Sequence, residues 1–226
     1  MRLQLPVADL TGGMALVQHP ACKLSAIRFL NEPQEVDQHH FVTGSWEQTT
    51  NCLHLWSASR QSGIALLHQQ DHETGDVCAI HPLKSNLIAT ASSLGSVAVY
   101  YAEGHELKQV CERRVCSGVL TSLAFADSLN AVLSVGEDGA LSLLFLDKLS
   151  GPVKRQPVCQ TPITCVDALP GSEVLCGNTA GCVKSVDMRS LTVTASLCHS
   201  LCPVTSVRRN PSNPHLIVSP FSLNWV

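Results

Sequence analysis

The chain repeats itself. Short runs of small and aliphatic residues occur at Phe41-Val42-Thr43-Gly44-Ser45-Trp46, Leu87-Ile88-Ala89-Thr90-Ala91-Ser92-Ser93, Val132-Leu133-Ser134-Val135-Gly136-Glu137, Val174-Leu175-Cys176-Gly177-Asn178-Thr179 and Leu216-Ile217-Val218-Ser219-Pro220. Aligned on Thr43, Thr90, Ser134, Cys176 and Ser219, they step by 47, 44, 42 and 43 residues. Self-similarity at such a period marks a supersecondary unit that cannot bury its own apolar surface and must stack on copies of itself.

Two more runs keep the same phase. Downstream of each small-residue run come a turn and an alternating segment: Leu53-His54-Leu55-Trp56, Gly95 to Tyr100, Gly139 to Leu144 and Gly181 to Val186. Upstream of four of them lies another: Val77 to Ile80, Leu120 to Phe125, Ile163 to Val166 and Val204 to Val207. Period-two apolarity over four to eight residues between Gly, Pro, Asn and Ser signals a strand. Asp138-Gly139 reads as a tight hairpin turn in which both central residues take positive φ. No stretch keeps helical spacing for long. The expected fold is therefore all-β, a propeller with four recognisable blades and part of a fifth.

Composition narrows the function classes. Of the 226 residues, 45% are hydrophobic and 15% charged, and the net charge is −3. Charge is below the usual quarter, so little of the chain reads as a solvated tail. A near-neutral balance argues against nucleic acid as a direct ligand, because phosphate binding needs a surplus of Lys and Arg on one surface. Arg113-Arg114 and Arg208-Arg209 read as exposed loop pairs. Pro6 and Asp9 interrupt the start, so no signal-peptide core is expected, and no apolar run suggests membrane insertion.

Eleven cysteines raise the question of disulfides or zinc. Cys52, Cys78, Cys165, Cys176 and Cys182 fall inside expected strands, where a free thiol serves as a small buried hydrophobe. The odd count fits a reducing compartment. Cys198-His199-Ser200-Leu201-Cys202 and the pair Cys111 and Cys116 are the nearest approach to a zinc set, and neither has the paired spacing such sites use. His39-His40 beside Asp37 reads as a polar loop, and His72-Glu73 and His105-Glu106 each lack a second histidine. With no nucleophile elbow, phosphate loop or dinucleotide fingerprint, the expectation is a non-enzyme with no catalytic, cofactor-binding or metal residues and no small-molecule substrate.

The strands resemble WD40 repeats in degenerate form. Trp56 precedes Ser57 rather than Asp; His72, Ser92 and Tyr100 occur in the second unit; Ser134, Asp138 and Asp147 in the third; Asp187 follows Val186 in the fourth. Among WD40 proteins the chain is similar to the outer-ring nucleoporins of the nuclear pore Y-complex. The similarity is carried by Lys23-Leu24-Ser25-Ala26-Ile27-Arg28, Thr43-Gly44-Ser45-Trp46 with Leu55-Trp56-Ser57, Gly75-Asp76-Val77 with Ala91-Ser92-Ser93-Leu94-Gly95, Val135-Gly136-Glu137-Asp138-Gly139, and Asn210-Pro211-Ser212-Asn213-Pro214-His215. It implies a seven-bladed ring of which this chain is a truncated part, with residues 1–24 an N-terminal segment and 25–226 the blades. It also implies a scaffold at the nuclear envelope that contacts other outer-ring subunits and supports nucleocytoplasmic transport of protein and mRNA. The competing expectation is another WD40 adaptor, such as a ubiquitin-ligase substrate receptor or a peptide reader.

Overall fold

The computed structural model describes residues 22–30, 38–169, 171–198, 201–210 and 213–220, the last group's 213–217 as backbone only. Sixteen strands form four four-stranded antiparallel sheets, each a simple up-and-down meander. The first contains β1 (Leu24–Phe29), β2 (Gln38–Ser45), β3 (Asn51–Ser59) and β4 (Gly63–His72). The second contains β5 (Val77–Pro82), β6 (Leu87–Ser92), β7 (Ser96–Glu103) and β8 (Glu106–Arg114). The third contains β9 (Leu120–Ala126), β10 (Ala131–Gly136), β11 (Ala140–Phe145) and β12 (Lys154–Pro157). The fourth contains β13 (Ile163–Ala168), β14 (Glu173–Asn178), β15 (Cys182–Asp187) and β16 (Thr192–Cys198). A two-stranded unit follows, β17 (Arg208–Asn210) with β18 (Asn213–Val218). The described residues hold no α-helix, only 3-10 turns at Asp127–Leu129 and Leu146–Lys148, and no helix long and apolar enough to cross a membrane.

Burial explains which strands the sequence displays. All six residues of β10 are buried, as are five of six in β6 and in β14. These second strands are covered on both faces, so they read as continuous small and aliphatic runs. The outer strands β8 and β16 have solvent on most side chains, every residue of β16 being exposed, and Glu106 to Arg114 carries five charges. That loss of apolar periodicity is why the fourth strand of each unit does not stand out in the sequence.

The sheets pack in chain order. Val42, Leu53 and Leu55 of the first meet Val77, Ile80, Ile88 and Tyr100 of the second. Ala89, Ala91 and Val99 meet Leu120, Val132 and Leu144 of the third. Leu133, Leu141 and Leu143 then meet Ile163, Val174 and Val186 of the fourth, and Leu175 meets Val204 and Val207 beyond it. Fully burying one such side chain is worth about 1.5–3 kcal/mol, so each interface is a substantial share of the total. Strands β1, β5, β9 and β13 lie side by side along one edge of this stack.

Three expectations need correction. Val204 to Val207 is not a strand: Val204 makes a single bridge, its N–H donating to Asn178 O, and Thr205 N–H donates to Pro220 O, while both valines turn into the core. The hairpin at Asp138-Gly139 is a three-residue loop from Glu137 to Gly139, and only Gly139 takes positive φ, at +70°. Asp138 keeps ordinary backbone and accepts the Ala140 N–H at 3.0 Å, closing the loop with its side chain. Finally, His39 and His40 belong to β2, paired with Ala58 and Ser57. Asp37, Pro211, Ser212 and the residues after Pro220 lie outside the described residues.

Candidate interaction surfaces and inter-sheet polar sites

One irregularity recurs at the start of each sheet. The first and second strands slip by one residue at Ser25, Cys78, Thr121 and Thr164, leaving each out of the pairing. A bulge re-aims the side chain it frees, and here it aims it at the next sheet. Ser25 Oγ donates to Val77 O, Thr121 Oγ1 to Ile163 O at 2.6 Å, and Thr164 Oγ1 to Val204 O. Each acceptor is the residue just before the next repeat's equivalent position. Cys78 is the exception. Its sulfur donates to Asp76 O at 3.7 Å, within its own sheet's entry, and burial, with Asp76 and Glu137 nearby, pushes its pKa up to about 11.

A second set of polar groups sits inside the interfaces. In the first sheet Trp56 Nε1–H donates to Thr43 Oγ1 at 2.9 Å, with Phe41 stacked on the indole at 6.0 Å. In the second, His72 Nδ1 bonds Gly75 O at 3.0 Å, its Nε2 lies 3.4 Å from Thr90 Oγ1, and Thr90 bonds the Tyr100 hydroxyl. Burial holds His72 below the ordinary histidine range and pushes the Tyr100 phenol up. Both act as neutral hydrogen-bonding groups. Ser92, the other residue of the repeat pattern in this unit, stands apart from that network: its Oγ accepts the Ser96 N–H at 2.9 Å and closes the next turn. In the third and fourth sheets the matching positions are Val115, Ser134 and Leu144, then Val158, Cys176 and Val186, and the network gives way to apolar packing.

The cysteines divide by place. Cys176 is fully buried and its thiol pushed up by desolvation, as are those of Cys165 and Cys116. Cys182 is not a free thiol. It faces Cys198 across β15 and β16 and the two are joined by a disulfide with Cα atoms 4.1 Å apart. This corrects the grouping of Cys198 with Cys202, because Cys198 is already spent. His199 lies outside the described residues. Among the described residues no three His, Cys, Asp or Glu side chains converge as a metal set. Cys111 and Cys116 are both free, and desolvation is the main cause raising each.

A cleft of about 480 Å³ opens where the first strands end. His81, Pro82, Leu83, Lys84 and Ser85 form one wall and Phe125 and Asp127 the other, with Lys84 Nζ paired to Asp127 at 2.8 Å and 5.9 Å from the centre of the Phe125 ring. His81 is pulled down to about 4, first by burial and then by the positive charges of Arg28 and Arg208. No protein-family model matches this chain, and no curated protein matches it either.

Proposed function

We propose that this chain is a WD40-type β-propeller segment, four blades and part of a fifth, acting as a non-catalytic scaffold in the outer-ring Y-complex of the nuclear pore. What supports the reading is the phase relation. Four meandering sheets follow one another at the sequence period, their first strands side by side, and three of the four bulge residues, Ser25, Thr121 and Thr164, hydrogen-bond the unit that follows. Such an array offers broad rigid faces suited to holding partners. The resemblance to outer-ring nucleoporins through Thr43-Gly44-Ser45-Trp46, Gly75-Asp76-Val77 and Val135-Gly136-Glu137-Asp138-Gly139 supplies the assembly and the location at the nuclear envelope. Its partners are other outer-ring protein subunits.

The test is affinity purification of the tagged chain from cells with mass spectrometry, alongside imaging of the same tag. Outer-ring nucleoporins with a nuclear-rim signal are expected. Recovery of ubiquitin-ligase subunits, or a diffuse signal with no nucleoporins, overturns the assignment and favours the adaptor reading.

A further inference from the structure

Each outer strand is tied to the stack by something besides its backbone ladder, and in β16 the tie is of a different kind. Strand β4 ends in His72, buried with its Nε2 beside Thr90 of the next sheet. Strand β8 sinks Leu107 into the core shared by the first and second sheets. Strand β12 runs directly into buried Val158, whose N–H donates to Gly139 O. By contrast every side chain of β16 is exposed and none enters an apolar cluster, although Val193 and Leu197 are aliphatic. From Thr192 to Cys198 it also carries no charge, whereas β4, β8 and β12 each carry at least one. Neither burial nor an ion pair holds it.

What remains is a hairpin fastened at its two ends. The chain itself joins β15 to β16 through Met188 to Leu191, and the bond between Cys182 and Cys198, the last pair of the register, closes the other end. Between them the ladder slips by one residue at Thr194, whose hydroxyl donates to Ser185 O at 3.3 Å. A bulge leaves its extra residue unpaired and locally disrupts the ladder. Strand β15 is secured independently. Val183 and Val186 are buried, β14 pairs along its other edge, and Lys184 Nζ donates to Val158 O at 2.7 Å. Loss of β16 therefore leaves β15 and the core beneath it in place. The bond that fastens β16 is also within reach of solvent, because Cys198 is exposed.

We propose that the Cys182–Cys198 disulfide is a redox latch: closed, it keeps β16 as the fourth strand of its sheet, and opened, it releases β16 and bares the outer edge of β15. Exposed disulfides exchange readily, and such bonds are the regulatory ones. The reductant is a dithiol. One of its thiolates attacks the exposed Cys198 Sγ; the Sγ–Sγ bond breaks, and Cys182 leaves as a thiolate that takes up a proton. The second thiolate then attacks the reductant's own sulfur in the mixed disulfide, Cys198 leaves and is protonated, and the dithiol ends as a disulfide. Two electrons and two protons pass to the protein. Oxidised glutathione, itself a disulfide, closes the latch by the reverse exchange. The latch belongs to the fourth sheet alone and operates whatever assembly the chain serves.

The experiment follows amide hydrogen exchange of the full chain by mass spectrometry, in oxidised glutathione and after dithiothreitol. Peptides covering β16 are expected to exchange about tenfold faster or more once reduced, while those covering β14 keep their protection. Return to oxidised glutathione restores the slow rate. The double variant Cys182→Ser with Cys198→Ser exchanges fast at β16 in both conditions, its protected β14 verifying that it folds. Cys202→Ser responds as the parent does. A β16 rate unchanged by reduction, a bond that dithiothreitol opens only in denaturant, or a response lost in Cys202→Ser overturns the proposal. So does loss of β14 protection together with that of β16, because the bond would then hold the whole sheet rather than its outer strand.

Discussion

Replacing Gly139 by Ala separates two reasons for a glycine in the turn between β10 and β11. The first is conformational: at φ +70° an L-residue carries about 1–2 kcal/mol of strain. The second is proximity. A β carbon at position 139 would lie 2.2 Å from Cys159 O and 3.0 Å from Thr161 O, both backbone atoms that cannot rotate away. The segment carrying them must retreat, and it is held by Val158 N–H and Cys159 N–H, which both donate to Gly139 O at 3.0 and 2.9 Å. Weakening those two bonds forfeits about 0.5–1.5 kcal/mol each. The expected loss is therefore about 2–5 kcal/mol. Gly104→Ala supplies the control, since Gly104 has φ +56° but no atom within 4 Å of a built β carbon. It should lose only the conformational part, about 1–2 kcal/mol. Urea unfolding with equal m values reads the difference as a shift in midpoint. Equal losses in the two variants would show that the turn does not press on the strand entry that follows, and the reasoning fails.

Three further outcomes are expected. Cys78→Thr restores the missing hydroxyl at the one bulge that lacks it, and should stabilise by about 0.5–1.5 kcal/mol through a bond to Leu120 O; a variant less stable than the parent would show that the second sheet cannot accept the bridge. In thiol labelling, Cys176 should stay unreactive until denaturation and Cys182 and Cys198 until a reductant is added, whereas Cys202 reacts without either; labelling of Cys198 in the absence of reductant would contradict the pairing. Stability should fall with acid. His54, His72 and His81 are all depressed by burial, so the unfolded chain binds protons first; their contribution is complete above about pH 6.5 and is lost progressively as pH falls toward about 4, the value for His81. His81→Gln should flatten that slope in a pH series of urea melts, and an unchanged slope would place the titrating groups elsewhere.

The sequence by itself determined the period, the all-β class and the second and third strands of every unit. Those follow from alternation and from the small residues needed where a strand is covered on both faces, and the chain carries them locally. Turn chemistry was legible too, although Asp138 closes its loop with a side chain rather than by adopting positive φ. The outer strands β4, β8, β12 and β16 were silent, because a strand wetted on most of its side chains tolerates charges and polar residues and loses its signature. A trace of the bulge bridges did exist in the recurrence of hydroxyls at Thr121, Thr164 and Thr205 after buried Leu120, Ile163 and Val204, yet their role depends on a one-residue slip in pairing. Cys182 and Cys198 are 16 residues apart, and only the register of β15 on β16 sets them face to face.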